Sequence, residues 1–274
     1  MEVLRLSQED GKRTEDMVAR ETPLTIFLNG QELVTLLCTP SHLKYLAVGF
    51  LLSEGLLKGW EDVKSVLFYE ERGLVNVLTT NDLELPKDLF QRRTITSGCG
   101  KGAVFYNAAD RLQCRPVKSE LKVMANTIRN LMRQVNGRSE LFKATGGVHT
   151  SALCRGEEIA IFREDIGRHN AIDKILGECL LEQIPTDDKV MVTSGRLTSE
   201  MLIKVARQGV PVLVSRAAPT DLAIGLAKRV DVTLVGFARG SRMNIYSNSE
   251  RVIQQAEPTF QCTAAHGEHT AGHR

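Results

Sequence analysis

The feature that most constrains the fold is a strict alternation of helical patterns and short apolar runs in the second half of the chain. These segments, helical and strand-like in turn, cover residues 170–181, 189–193, 198–208, 210–215, 220–229 and 232–237. Helices that cross over between successive strands keep neighbouring strands parallel and cover both faces of the sheet. The alternation therefore predicts a three-layer α/β domain, preceded by two strands near 151–154 and 158–162.

The first half of the chain predicts a smaller α+β subdomain. Two apolar runs flank Asn29-Gly30, a pair that tolerates positive φ and suits a tight hairpin. A helix capped by Ser41 and a second hairpin around 70–73 follow, and a helix beginning at Ser119 opens the second half. The predicted organisation is a flexible tail over 1–20, an N-terminal subdomain over 21–117, an α/β domain over 118–256 and a disordered tail over 257–274.

Charge and cysteine content exclude several classes of protein. With 35 basic and 33 acidic residues the formal net charge is +2, which argues against a polybasic surface for nucleic acid. No apolar run is long enough to span a bilayer, and residues 1–20 have no signal-peptide core. We therefore expect a cytoplasmic protein with no membrane contact. Six cysteines without close paired spacing predict reduced thiols rather than a disulfide framework.

One short loop carries a candidate nucleophile. In Thr96-Ser97-Gly98-Cys99-Gly100-Lys101-Gly102 three glycines leave room around the Cys99 sulfur. Lys101 and outward-facing glycine amides would both favour the reactive thiolate over the neutral thiol. The structural alternative is a small buried cysteine, which is the common role of a lone cysteine.

Several further motifs follow one another along the chain. In order, they are Glu21-Thr22-Pro23-Leu24, Asn29-Gly30, Val48 to Gly55, the Cys99 loop, Thr145-Gly146-Gly147-Val148-His149, Glu164 to Lys174, Ser194-Gly195-Arg196, Ala218-Pro219-Thr220 and Leu234-Val235-Gly236-Phe237. As an ordered set from about Glu21 to Arg251, they resemble the FdhD family of sulfur carrier accessory proteins, which formate dehydrogenase requires for activity.

The resemblance implies a specific task. It implies that Cys99 accepts sulfur from a cysteine desulfurase as a persulfide. It further implies transfer of that sulfur to the molybdenum or tungsten bis(molybdopterin guanine dinucleotide) cofactor before formate dehydrogenase receives it. A core similar to the cytidine deaminase fold and a homodimer are also implied. The zinc signature of the deaminases is absent, since no His-x-Glu is followed by Pro-Cys-x-x-Cys, and no zinc is expected.

The reactive loop departs from many relatives, which carry Cys-x-x-Cys where this chain has Gly102. A second thiol could release the outer sulfur by forming a disulfide, so this resolving step is in doubt here. Loading the persulfide needs only Cys99. The outer sulfur would then pass directly to the metal or be released by an external thiol. Cys114 is either a resolving thiol or a buried spectator.

The resemblance places part of the cofactor contact in one basic turn, formed by Phe237, Ala238, Arg239, Gly240, Ser241 and Arg242. In the segment from Glu164 to Asn170, His169 is a further candidate for cofactor binding beside Arg168, and the structural alternative for this segment is a helix start. Arginine forks around a flexible Gly240 suit phosphate or a guanine edge, whereas the structural alternative is a solvated basic turn. Glu164 and Asp165 are interpreted as residues of a helix start, and Thr220 as a helix cap. For Gly146-Gly147 with His149, an anion-binding turn and a tight strand entry stay equally open.

Two other functions remain in competition with sulfur transfer. One is a cofactor-binding chaperone without persulfide chemistry, for which Cys99 would be dispensable. The other is a nucleotide-modifying enzyme of deaminase-like architecture, against which the missing zinc signature weighs.

Overall fold

The computed structural model describes residues 1–7, 10–81, 94–95, 103–104 and 115–254. The strands are β1 (Glu2–Leu6), β2 (Gly11–Glu15), β3 (Thr22–Leu28), β4 (Gln31–Cys38), β5 (Val63–Tyr69), β6 (Leu74–Thr79), β7 (Thr94–Ile95), β8 (Ala103–Val104), β9 (Val123–Met124), β10 (His149–Arg155), β11 (Glu158–Asp165), β12 (Val190–Thr193), β13 (Val212–Ser215), β14 (Thr233–Arg239), β15 (Arg242–Ser247) and β16 (Val252–Ile253). The helices are α1 (Leu43–Ser53), α2 (Ala125–Arg138), α3 (Glu140–Thr145), α4 (Arg168–Leu181), α5 (Ser199–Arg207) and α6 (Asp221–Arg229).

Residues 1–20 hold a hairpin where the sequence predicted a flexible tail. Strands β1 and β2 pair antiparallel, from Glu2 opposite Glu15 to Leu6 opposite Gly11. Because β2 consists of glycine and polar residues, it lacks the alternating apolar pattern from which strands are predicted. The predicted tail over 257–274 lies outside the described residues.

The N-terminal subdomain is a four-stranded sheet in the order β4-β3-β6-β5. Its first hairpin turns at Asn29 and Gly30, whose φ values of 51° and 78° confirm the predicted positive-φ turn. Its second hairpin turns through Glu70–Arg72 and ends at Gly73, which has a φ of 58°. Alternate residues of β3 and β6 are buried, and the apolar ones lie in one hydrophobic cluster with residues of α1, as the alternating pattern of these strands requires.

The second half folds around a six-stranded sheet in the order β11-β10-β12-β13-β14-β15. Strands β12, β13 and β14 are parallel, whereas β10, β11 and β15 are antiparallel to their neighbours. The predicted alternation and parallel pairing are confirmed for the three central strands. The outer strand β15 was missed, since its mixed polar sequence leaves only Ser247 buried.

Helices cover both faces of this sheet. One set of strand residues, represented by Cys154, Val190 and Val212, packs against α2. The alternate set, represented by Leu153, Met191 and Leu213, packs in the core that contains α4, α5 and α6. The described residues therefore form the mixed α/β arrangement with helix layers on both sides. A specific likeness to cytidine deaminases stays a prediction.

One hydrophobic core joins the two halves of the chain. Leu24 and Leu51 from the N-terminal sheet and α1 belong to the same buried cluster as Leu176 of α4. Helices α1 and α4 cross at Gly49 and Gly177, where the two backbones touch: a Cβ atom on Gly177 would lie 2.6 Å from the Gly49 nitrogen. Gly49 thus has a packing function within the Val48 to Gly55 motif.

Two helix starts differ from the predictions. Helix α1 begins at Leu43 with His42 as its N-cap, and the Ser41 hydroxyl instead accepts a hydrogen bond from Lys174 Nζ at 3.3 Å. Helix α2 begins at Ala125, not Ser119, because Val123 and Met124 form a strand with β16. Thr220 does cap α6, accepting from the Ala223 amide at 3.3 Å, as predicted.

Candidate functional site

Three motif loops meet where the parallel strands end. They follow β12, β13 and β14, and ligands of open α/β sheets bind at this carboxyl edge. The Ser215 hydroxyl donates to the Gly195 carbonyl at 2.6 Å, and the Phe237 amide donates to the Ala217 carbonyl at 3.1 Å. Leu197 pairs with Pro219 as an isolated bridge. The chain thus brings Ser194-Gly195-Arg196, Ala218-Pro219-Thr220 and the basic turn to one edge.

The predicted basic turn is the connection between β14 and β15. Strand β14 continues to Arg239 and pairs with Arg242, so only Gly240 and Ser241 form the turn and Gly240 has φ 56°. Arg239 Nε donates to the Arg216 carbonyl at 2.7 Å, which ties the head of this side chain to the neighbouring loop. The turn residues Arg239 to Arg242 are all exposed to solvent, so both the ligand-binding and the solvated-turn interpretations stay open.

Phe237 has an unusual backbone conformation beside this turn. Its φ is 50°, in the left-handed region, where an aromatic residue is strained. The side chain is 39% exposed, and the Arg239 guanidinium lies 5.8 Å from its ring centroid. The strand therefore presents an aromatic ring and a guanidinium together, while Ala238 between them points into the core.

Helix α2 adds two arginines that the sequence did not indicate. Arg129 and Arg133 line a groove of about 150 Å³ together with Ala238 and Gly240. Arg129 Nε donates to the Ser241 carbonyl at 3.0 Å. Their spacing fits the outer face of an ordinary amphipathic helix, so no local signal could have marked them as part of the site.

His169 lies at the start of α4 and is largely buried. Its Nε2 lies 3.3 Å from Glu200 Oε2 of α5. Burial lowers the pKa of His169, as do the positive charges of Lys204 and Arg168, whereas the contact with Glu200 opposes this shift. The net effect favours a neutral imidazole at pH 7.

His149 joins the same cluster from the first position of β10. Its Nδ1 lies 3.3 Å from Ser194 Oγ, which also accepts the Thr150 amide at 3.0 Å. Burial lowers the pKa of His149, and the charges of Arg168 and Arg196 lower it further. The structure therefore brings His149 and Ser194-Gly195-Arg196 together with the start of α4.

Of the two acidic residues ahead of α4, Asp165 makes contacts at the helix start, as interpreted from the sequence, whereas the Glu164 carboxylate accepts from the Ser139 hydroxyl. Asp165 Oδ1 accepts from the Gly167 amide at 2.9 Å and from Asn170 Nδ2 at 3.0 Å. Its Oδ2 lies 2.6 Å from Lys174 Nζ, and both side chains are fully buried. Among the described residues, no group of three or more histidines, cysteines and acids could hold a metal ion.

A larger hollow lies at the opposite edge of the sheet. Its volume is about 830 Å³, and it is lined by residues 116–122 with Asp187, Asp188 and Asp231. It is wide open and lies where β12 and β14 begin, away from the motif loops. We assign no function to it.

Three of the six cysteines are buried thiols. Burial raises the pKa values of Cys38, Cys154 and Cys179 to about 12, so these side chains stay protonated at neutral pH. Cys99, Cys114 and Cys262 lie outside the described residues, so the predicted site at Cys99 stays a prediction. The strands that flank the Cys99 loop, β7 and β8, pair antiparallel, with Ile95 opposite Ala103.

Within the part of the chain that the structure describes, no helix is long and apolar enough to cross a membrane.

Comparison with known proteins gives a consistent result. The model of the FdhD/NarQ family matches residues 19–253. The chain is 44% identical over 239 residues to the sulfur carrier protein FdhD of Bacillus pumilus, covering 87% of this chain and 91% of that protein. It is 40% identical over 251 residues to the sulfur carrier protein FdhD of Bacillus subtilis, and the match covers 92% of this chain and 96% of that protein. A crystal structure from Desulfotalea psychrophila, of a protein assigned as a formate dehydrogenase accessory protein, has a TM-score of 0.77. The sequence of that protein is 28% identical to this chain, and the structural match covers 92% of this chain and 98% of the other.

Proposed function

Because this chain belongs to the FdhD/NarQ family, we propose that it accepts sulfur from a cysteine desulfurase as a Cys99 persulfide and transfers it to molybdenum bis(molybdopterin guanine dinucleotide). Family membership and relatives named sulfur carrier protein support a sulfur-transfer role connected with formate dehydrogenase. In this proposal the chain acts in the cytoplasm as a homodimer. Formate dehydrogenase receives the sulfurated cofactor, and tungsten replaces molybdenum where that enzyme uses it.

The burial of Cys38, Cys154 and Cys179, the three cysteines that the structure describes, is the observation that carries the assignment to Cys99. Sulfur exchange needs a thiolate, and Cys38, Cys154 and Cys179 are held as neutral thiols with pKa values of about 12. Of the three remaining cysteines, Cys99 is the one flanked by glycines and Lys101. Its surroundings in the sequence favour an accessible anion.

The transfer proceeds by two sulfur exchanges. The Cys99 thiolate attacks the outer sulfur of the desulfurase persulfide, and the desulfurase cysteine leaves as a thiolate. The new persulfide then gives up its outer sulfur and returns to the Cys99 thiolate. Conversion of that sulfur to sulfide takes two electrons. They come from the metal of the substrate, which is oxidised by two units, or from two external thiols, which leave as a disulfide. Gly102 leaves no cysteine at the family's second position to supply them.

The carboxyl edge of the sheet supports binding of a guanine dinucleotide. The exposed Phe237 ring, backed by Arg239, is suited to stacking with a purine base. Arg129 and Arg133 beside the Gly240-Ser241 turn supply guanidinium groups, which suit phosphate. His169, neutral and held against Glu200, lies at the start of α4 on the same edge. These residues are the proposed cofactor contacts, together with Ser241, Arg242 and the backbone of Ala238, whose side chain lies in the core.

Formate dehydrogenase activity in cells that lack their own sulfur carrier tests the proposal. The wild-type chain is expected to restore activity, whereas Cys99→Ala is expected to leave it at the level of the empty vector, because the sulfur has no carrier. Cys262→Ala, which removes a thiol from the C-terminal segment, is the matched control and is expected to behave as wild type. Full restoration by Cys99→Ala would replace the proposal with a cofactor-binding chaperone.

A further inference from the structure

His149 has a hydrogen-bonding arrangement that the proposed sulfur chemistry does not use. The Ser194 Oγ atom accepts the Thr150 amide at 3.0 Å, and the Ser194 amide donates to the Thr150 carbonyl at 2.9 Å. The Ser194 hydroxyl hydrogen is then free to point to His149 Nδ1, which lies 3.3 Å away. When Nδ1 accepts this hydrogen, a neutral imidazole carries its own proton on Nε2.

Charged groups around His149 favour the neutral ring. Burial disfavours a positive charge on His149 most strongly, and Arg168 at the start of α4 and Arg196 after β12 act in the same direction. Asp165 at the end of β11 is the group that opposes them. A neutral N–H donor among guanidinium groups suits an oxyanion, because it adds a directional hydrogen bond without repelling the nearby cations.

The sheet topology places His149 at the same edge of the sheet as the basic turn. Strands β10, β12, β13 and β14 are successive neighbours, so His149 and Phe237 are three strand spacings apart, or about 15 Å along the sheet edge. Ser194 and Arg216 lie between them, at the ends of β12 and β13. Besides the α2 groove at Arg129 and Arg133, the sheet edge past Arg216 and Ser194 to His149 is thus a second path along which the phosphates of a nucleotide bound at Phe237 can extend.

We propose that His149 donates its Nε2 hydrogen to a diphosphate oxygen of the guanine dinucleotide, and that Ser194 is a positioning residue that holds the ring in this tautomer. The inference rests on the proposed function, in which that dinucleotide binds at the sheet edge. It assigns His149, for which the sequence left two interpretations open, to ligand binding.

Two substitutions of His149 distinguish the contributions of its two ring nitrogens to ligand binding. The glutamine amide reaches the position of Nε2 and keeps a donor there, whereas the asparagine amide reaches only the position of Nδ1. We expect His149→Asn to weaken binding of guanosine diphosphate about tenfold or more, the usual effect of losing a hydrogen bond to a charged group. His149→Gln is expected to bind within about threefold of wild type, since it retains the donor. Calorimetry with guanosine diphosphate, inorganic pyrophosphate and guanosine measures this, and the loss should appear for the two phosphate ligands only.

A separate measurement tests the tautomer of His149 and the positioning function of Ser194. Nitrogen-15 NMR of labelled histidine should show His149 protonated on Nε2 and not on Nδ1 in wild type. Ser194→Ala should give a mixture of His149 tautomers and weaker binding of guanosine diphosphate. Ser194→Thr, which keeps the hydroxyl, should retain the single tautomer and the wild-type affinity. In the His149→Gln background, Ser194→Ala should leave the affinity unchanged. A purely structural function of Ser194 would not produce this pattern.

The outcomes distinguish this inference from the proposed function. All binding is measured in Cys99→Ala protein, so the results are independent of persulfide chemistry. If guanosine diphosphate binds but His149→Asn leaves its affinity unchanged, or if wild type carries the proton on Nδ1, this inference alone is overturned. If neither guanosine diphosphate nor pyrophosphate binds, the inference falls together with the cofactor-binding part of the proposal.

Discussion

Replacing Gly177 with alanine is expected to prevent the two halves of the chain from packing together. A Cβ atom there would lie 2.6 Å from the Gly49 nitrogen and would collide with the Tyr45 carbonyl of α1. Both obstacles are backbone atoms, so the helices must separate and open the core that they share. The expected loss is more than about 3 kcal/mol, a large share of the stability of an ordinary domain. Chemical denaturation followed by circular dichroism measures it.

Gly225→Ala is the matched control for this substitution. Gly225 also lies inside a helix, α6, but a Cβ atom there meets nothing within 4 Å. Alanine is favoured over glycine in helices, so this change should stabilise the protein by up to about 1 kcal/mol. Gly49→Ala should behave like Gly177→Ala, since its Cβ atom would lie 2.8 Å from the Gly177 nitrogen. A Gly177→Ala protein as stable as wild type would contradict the packing described for α1 and α4.

Lys174→Met is also expected to destabilise the fold strongly. Lys174 Nζ lies 2.6 Å from Asp165 Oδ2, both side chains have 0% exposure, and the ammonium also donates to Thr39 Oγ1 at 2.7 Å. Removing the lysine leaves a buried carboxylate without its counter-charge, which typically costs about 3–5 kcal/mol. The contacts of Thr39 with Asp165 and Lys174 hold the segment after β4 against the end of β11, close to the candidate site.

A double-mutant cycle isolates this pair. Asp165→Asn combined with Lys174→Met should cost less than the sum of the two single substitutions, because no uncompensated charge remains. Lys143→Met is the control, since Lys143 and Glu140 form an exposed pair that should contribute less than about 0.5 kcal/mol. If Lys174→Met unfolds at the same denaturant concentration as Lys143→Met, the buried pair does not stabilise this fold.

Local sequence patterns predicted the central part of the fold well. The alternation of apolar strands and amphipathic helices located β12, β13 and β14 with their parallel order. The Asn29-Gly30 turn and the Thr220 cap were also predicted correctly. Each of these features depends on residues within a few positions of one another, and such features are visible in a single sequence.

The pairing of strands that are distant in the sequence, and the approach of site residues from separate elements, could not be predicted in the same way. Strand β9 forms only because Val123 and Met124 meet β16, more than a hundred residues away, so Ser119 was wrongly taken as a helix start. His149, His169 and Ser194 lie on separate elements, and only the topology brings them together. Arg129 and Arg133 belong to the site because α2 packs beside the turn at Gly240. A family resemblance could mark some of these positions but not their contacts.

The central claim is that Cys99 carries sulfur, and intact-protein mass spectrometry after incubation with a cysteine desulfurase and L-cysteine tests it most directly. Wild type and Cys114→Ala are expected to gain one sulfur atom that dithiothreitol removes, and Cys99→Ala is expected to gain none. Such a result would place the persulfide on Cys99 and show that a loop with Gly102 in the second position can be loaded. Equal gain by Cys99→Ala, or no gain by wild type, would contradict the account.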